Sequence, residues 1–275
     1  MYTIAELKGK CFKKNWDELP LYPRLVTFKV SIRLVSLLQN TGISPNAVTI
    51  FSLFVAVIAA LFFASGNTYK LMIGALLLEF YYVLDCTDGQ LARLKGLCSK
   101  EGAFVDYILN YIVHPIVFFS IGLGCYFASG KVLFIISGVI SGWSMVLGYA
   151  LSDCKHAVIT AGLMKDNTPV VASAEEVYRD NVERDPLFKR FFMAMHKIST
   201  YPTIMNIITI ASIVAVVSGS MKPAYFITIL FAADSSIVFV LRACDIIKGG
   251  RISAEYEQVK RKVLIKEISD ESKEI

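Results

Sequence analysis

Apolar residues in this chain gather into long, nearly unbroken blocks separated by short polar breaks. The first block runs from Pro45 to about Ser65. Ser44-Pro45 opens it as an N-cap followed by proline in the first turn, and Gly66-Asn67 closes it as a short turn. A second block runs from about Tyr69 to Leu94, a third from about Glu101 to Phe127, a fourth from about Val132 to Val158, a fifth from about Tyr201 to Ser218 and a sixth from about Pro223 to Ile247. At a rise of about 1.5 Å per residue, blocks of this length suit a hydrocarbon layer of about 30 Å. The pattern predicts an all-α integral membrane protein with six transmembrane helices.

The segments between and around the blocks behave differently. Residues 21–40 are apolar at helical spacing but carry Arg24, Lys29 and Arg33. Three cations suit a basic amphipathic helix in the headgroup layer, preceding the first span, better than a spanning one. Residues 161–200 form a long polar insertion. Within it Ser173 and Glu176 read as an N-cap with an acid three residues on, which predicts a cytoplasmic amphipathic helix. The expected organisation is a cytoplasmic N-terminus with the interfacial helix over 1–44, a six-helix membrane domain over 45–247 that holds the insertion, and a charged cytoplasmic tail over 248–275. Six spans put both termini on one side. The connections near 66–70, 128–131 and 219–222 carry one cation each, Lys70, Lys131 and Lys222, so the remaining cations favour the other, cytoplasmic side.

Composition narrows the class. The chain has 275 residues, 55% of them hydrophobic and 19% charged, with a mean hydropathy of +0.55. An ordinary soluble domain is far more polar. The net charge of +5 is modest, and its basic clusters suit anionic lipid heads rather than nucleic acid. The six cysteines are scattered without a CxxC pair, so neither a disulfide frame nor a zinc site is expected, and Cys86 and Cys98 read as small apolar fillers. The first twenty residues lack the apolar core of a signal peptide.

Acids beside a lipid-soluble segment are costly and mark function by default. Here they are patterned: Asp85-x-x-Asp88-Gly89-x-x-Ala92-Arg93, then eight residues, then Gly102-x-x-x-Asp106-x-x-x-Asn110. Helical spacing puts Asp85, Asp88, Gly89, Ala92 and Arg93 on one stripe of the second span, and Asp106, Asn110 and His114 on one stripe of the third. The short 95–100 connection predicts antiparallel neighbours whose stripes face each other. Such oxygen donors suit a hard divalent cation, Mg²⁺ or Mn²⁺. Two cations about 4 Å apart would clamp a diphosphate. Gly89 and Ala92 clear space for a ligand, and Arg93 offers a forked phosphate donor. The alternative is a structural ion network of these acids with Arg93, Lys95 and Lys100. Glu79 points away from the stripe. Asp153, Lys155 and His156, and Asp234, Arg242 and Asp245, could line an acceptor pocket. Lys155 and Arg242 would suit an acceptor bearing phosphate or carboxylate, with structural pairing the alternative. His196 reads as solvated.

This pattern resembles the signature of the CDP-alcohol phosphotransferase family, DxxDGxxAR-x8-GxxxDxxxD, with its last aspartate replaced by Asn110. The six-span layout and the segment Ile43-Ser44-Pro45-Asn46-Ala47-Val48-Thr49 are similar too, and the resemblance is strongest over about residues 20–125. It implies transfer of a phospho-alcohol group from a CDP-linked lipid or CDP-alcohol donor to an alcohol acceptor, with release of CMP, in phospholipid synthesis. It also implies a homodimer among membrane lipids. By position, Asp85, Asp88 and Asp106 would hold the metals, Gly89, Ala92 and Arg93 would line the CDP site, and Gly102 would allow close helix packing. The position of the fourth metal ligand and general base falls on Asn110.

An amide still offers an oxygen to a metal, but it takes no proton at a useful pH. Three explanations stay open: a deliberate replacement that traps substrate, another base, or a homologue that binds CDP-linked ligand and metal without turnover. His114, one turn below Asn110, is the candidate substitute base, against a filling role beside the kink at Pro115. A transporter would more often carry its acids at mid-membrane on broken helices.

Overall fold

The computed structural model of the chain describes residues 2–12, 21–166, 201–248, 250 and 252–261. Every regular element among these residues is helical: α1 (Ile4–Cys11), α2 (Leu21–Leu25), α3 (Thr27–Leu38), α4 (Pro45–Phe63), α5 (Thr68–Lys95), α6 (Lys100–Ser129), α7 (Leu133–Lys165), α8 (Tyr201–Ser218), α9 (Lys222–Lys248) and α10 (252–261). The helices start and stop where local chemistry dictates. Ser44 caps α4, its Oγ accepting from the Ala47 amide at 3.2 Å, with Pro45 in the first turn as expected. Asn67 caps α5 and Ser99 caps α6 in the same way. Gly96 and Gly130 close those two helices in the left-handed conformation, where a side chain would be strained.

The helices match the predicted blocks closely, except that α7 runs past Val158 to Lys165. Four helices among the described residues are long and apolar enough to cross a membrane: α4, α6, α7 and α9. The other two predicted spans do not meet that measure. Helix α5 is long enough, but Glu79, Asp85 and Asp88 interrupt its apolar surface. In α8 the apolar stretch is the shorter Pro202–Ser218. The predicted basic helix over 21–40 is two helices, α2 and α3, meeting at Val26. Residues 167–200, with Ser173, Glu176 and His196, lie outside the described residues.

The chain divides into two compact units: Met1–Trp143 with Ile198–Ala233, and Ser144–Lys197 with Asp234–Ile275. In the first, α5 is central. Helices α4, α3, α8 and α1 pack on it, and α4 also packs along α6. Ala59 and Phe63 of α4, Leu71 and Leu78 of α5, and Ile204 and Ile208 of α8 form its buried core. Small residues let backbones approach, as membrane helices do when no hydrophobic force drives them together. A Cβ on Gly124 would stand 2.0 Å from the Phe63 carbonyl oxygen, and one on Gly122 2.5 Å from that of Phe134. Large apolar side chains such as Phe54, Leu61, Val217 and Phe226 point outward, as lipid-facing positions do.

In the second unit the last turns of α7 meet α10. Ile159, Leu163 and Val259 form a small buried cluster joined by Ile252 and Tyr256. Lys155 pairs with Glu255 at 2.9 Å, and Asp166 accepts from Tyr256 and Lys260.

Candidate functional site

Helix α4 carries Thr49 on its buried face, four residues after Pro45. The Thr49 hydroxyl lies 2.6 Å from Asp88 Oδ2 and 3.1 Å from the Pro45 carbonyl. Asp88 is 7% exposed, so this contact is shielded from water. One helical turn earlier on α5, the Asp85 carboxyl meets that of Asp106 on α6 within hydrogen-bonding contact, and both stand close enough to Asp88 to feel its charge. The two predicted stripes therefore do come together at Asp85 and Asp106. Away from that meeting, α5 and α6 each pack on α4. Asn110 turns its amide back along its own helix, donating through Nδ2 to the Asp106 carbonyl at 3.1 Å.

Like-charged oxygens brought this close call for a proton or a cation among them. All the donors are hard oxygens, the set that suits Mg²⁺ or Mn²⁺. Among the described residues, however, no three or more His, Cys, Asp or Glu side chains close into a metal cage.

The neighbouring cations hold backbone carbonyls. Lys95 Nζ donates to the carbonyls of Thr41 and Ile43, 2.8 Å each. Arg93 Nε donates to the Cys11 carbonyl at 2.5 Å. Arg93 and Lys95 thus each hold a carbonyl, and Arg93 is also close enough to Asp88 to interact with its charge. The Arg93 guanidinium folds back over Gly89, where the position of a Cβ lies 3.5 Å from one terminal nitrogen. Gly102 donates its amide to Ser99 Oγ at 2.9 Å, and a Cβ there would come within 3.3 Å of Asn46 Oδ1.

His114 is buried in α6 at 3% exposure. The following Pro115 packs so tightly that a Cβ on Gly142 would stand 2.9 Å from its Cα. Lys155 pairs with Glu255, and Arg242 lies against Gly148, both within the second unit. All six cysteines are free thiols. No motif in the sequence assigns a task to Thr49 or to the Cys11 carbonyl. Only the string around Thr49 hinted at the first, and a backbone carbonyl leaves no signal in a sequence.

Comparison with known proteins agrees with the motif. Residues 42–174 match the family model described as CDP-alcohol phosphatidyltransferase. A phosphatidylinositol phosphate synthase of Mycobacteroides abscessus is 27% identical over 139 residues, covering 50% of this chain and 60% of that protein. An archaetidylinositol phosphate synthase of Pyrococcus horikoshii is 32% identical over 92 residues, covering 34% and 47%. The chain thus spans about half the length of these curated relatives. The solved structure of Mycobacterium tuberculosis phosphatidylinositol phosphate synthase with CDP-DAG bound is similar in fold, with a TM-score of 0.56 at 20% identity over 78% of this chain and 92% of that one. With several helices apolar enough to span a bilayer, the chain is a multi-pass membrane protein. Both motif stripes lie within residues 42–174, the stretch that is similar to the CDP-alcohol phosphatidyltransferase family.

Proposed function

We propose that this chain transfers a phosphatidyl group from a CDP-linked lipid to a small polar alcohol and releases CMP, in phospholipid synthesis. The observation that carries the reading is the meeting of Asp85 and Asp106 across α5 and α6 beside Asp88. The names of the relatives support an acceptor of the phosphorylated-inositol type as the first to test. Asp85, Asp88, Asp106 and the Asn110 oxygen would hold one or two divalent cations, Mg²⁺ or Mn²⁺. A bound cation would neutralise the diphosphate and the charge that develops on its oxygens. Gly89 and Ala92 leave the α5 surface open to the CDP moiety, and Arg93 directs its fork to the phosphates. The acceptor hydroxyl attacks the lipid-bearing phosphorus, its proton leaves, and the bond to CMP breaks. In the proposed layout α5 and α8 complete six spans, the motif and both termini face the cytoplasm, and two copies associate as a homodimer in the bilayer.

Proton removal separates two readings. The Asn110 amide cannot take the proton. In an active chain His114, one turn along α6, serves as base; in an inactive one the site binds CDP-linked ligand and metal without turnover. The test is CMP release by purified protein with Mn²⁺, CDP-diacylglycerol and a panel of polar alcohols, for the natural chain, Asn110→Asp and His114→Ala. Release that His114→Ala abolishes supports the first reading. Release only by Asn110→Asp supports the second. Absence of release from all three, for every alcohol, contradicts a CDP-diacylglycerol transferase.

A further inference from the structure

The family match begins at Gly42, yet a helix far upstream of it reaches the motif. Helix α1 packs on α3 and α5, with Leu7 and Cys11 both 0% exposed. It is a well-formed helix despite its length. Thr3 and Glu6 form a capping box, in which the Thr3 amide donates to Glu6 Oε2 at 2.7 Å and the Glu6 amide donates to Thr3 Oγ1 at 3.4 Å. The Tyr2 amide donates to Gln39 Oε1 at 2.8 Å, tying the start of α1 to the end of α3.

Cys11 is the last residue of α1, and its carbonyl is among those left without a partner inside the helix. Carbonyls at a helix C-terminus carry partial negative charge and attract a guanidinium. Arg93 Nε fills that place at 2.5 Å. Arginine has five N–H donors, so the contact leaves both terminal nitrogens available. They lie over Gly89, 3.5 and 3.7 Å from where a Cβ would stand, on the stripe that holds Asp88.

We propose that α1 is a positioning element for Arg93: the Cys11 carbonyl holds the guanidinium by Nε, so that its two terminal nitrogens stay aimed over Gly89, where the CDP diphosphate passes. Long arginine side chains lose rotamer entropy when they grip a ligand. A guanidinium already seated loses less on binding, and its fork is presented in one orientation. The inference rests on the CDP-binding reading for the ligand, while the seat itself is independent of it.

Both parts can be tested on the full-length chain in detergent with Mn²⁺. CDP affinity is measured by calorimetry for the natural protein, for Leu7→Asp, for the gentler Thr3→Ala/Glu6→Ala pair that loosens α1 without touching the core, for Arg93→Ala, and for each α1 variant combined with Arg93→Ala. Losing a charge-assisted contact is expected to weaken CDP binding about 10- to 100-fold in Arg93→Ala and to a similar or smaller extent in the α1 variants. The α1 changes should cost nothing more once Arg93 is gone. In parallel, alkylation of Cys11 is followed by peptide mass spectrometry. The buried thiol should react slowly in the natural protein and about tenfold faster in Arg93→Ala, which frees the end of α1.

Two results overturn the proposal: α1 variants with reactive Cys11 but unchanged CDP affinity, or an α1 loss that is just as large without Arg93. If the natural chain binds no CDP, the CDP-binding reading fails, and with it the ligand part of this inference. The alkylation rates then decide the seat alone, and equal rates in the natural chain and Arg93→Ala refute it.

Discussion

The Thr49 hydroxyl stands 2.6 Å from Asp88 Oδ2 in a buried part of the contact between α4 and α5. Removing it should leave a shielded carboxylate oxygen without its donor, a loss of about 1–3 kcal/mol. Thr49→Val is therefore expected to lower the thermal stability of the metal-free protein, and the loss should shrink when Mn²⁺ is added, because a cation can satisfy the same oxygen. An equal loss with and without metal would separate Asp88 from the metal site. At Asn110 the expectation is opposite in sign. Asn110→Asp puts a carboxylate at the position that the resemblance assigns to the base, and CMP release should rise by roughly 10²–10⁴-fold if the chain lacks a substitute; an unchanged rate would fit His114 as base. The stripes themselves were legible in the sequence, since spacing of three and four is all a helix needs to align them. Their partners were not. Thr49 is 39 residues from Asp88 and Cys11 is 82 from Arg93, and neither contact has a local pattern.

At the scale of elements, the sequence located α4 to α9 because long apolar blocks and their capping residues are strong signals. It missed α1, although Thr3-x-x-Glu6 is a capping-box pattern, because the surrounding lysines made residues 1–20 read as one polar segment. It also gave no sign that α4 packs along both α5 and α6. A short connection constrains where two helices begin, not how far they stay together. The glycines test this packing. Gly124→Ala would drive a methyl group into the Phe63 carbonyl, 2.0 Å away, and should cost at least about 1–3 kcal/mol or prevent folding. Gly9→Ala has open space around it within α1 and should stabilise that helix by about 0.5–1 kcal/mol. Thermal unfolding of the two variants in detergent gives the comparison, and similar stability for both would contradict the close approach of α6 to α4.

For the molecule as a whole, the division into two units was not visible in the hydropathy pattern, because two of its boundaries, at Trp143/Ser144 and Ala233/Asp234, fall inside the continuous helices α7 and α9. Within the second unit, α10 is fastened to α7 partly by charge. Hydrogen bonds from Lys260 and then Tyr256 hold the Asp166 carboxyl below its ordinary range, and the bond to Asp166 holds the Lys260 ammonium above its own. A lowered acid stabilises at pH above its unfolded value and loses that contribution as pH falls through the folded one. A raised base stabilises below its unfolded value and loses the contribution as pH rises through the folded one. Hydrogen exchange of residues 252–261, taken relative to the unstructured chain at each pH, should therefore be slowest between these limits. Asp166→Asn should speed it near neutral pH and flatten the acid limb, whereas a profile identical in both proteins would mean that the apolar cluster alone holds α10.

The proposed function requires Asp85, Asp88 and Asp106 to hold a divalent metal that takes a CDP-linked ligand. Calorimetric titration of CDP into the purified full-length chain, with Mn²⁺ and again with chelator, tests it most directly, alongside Asp85→Asn. Binding should be saturable, should need the metal and should be lost in Asp85→Asn while the protein stays folded. Binding that survives both the chelator and the substitution, or no binding with metal present, would contradict it.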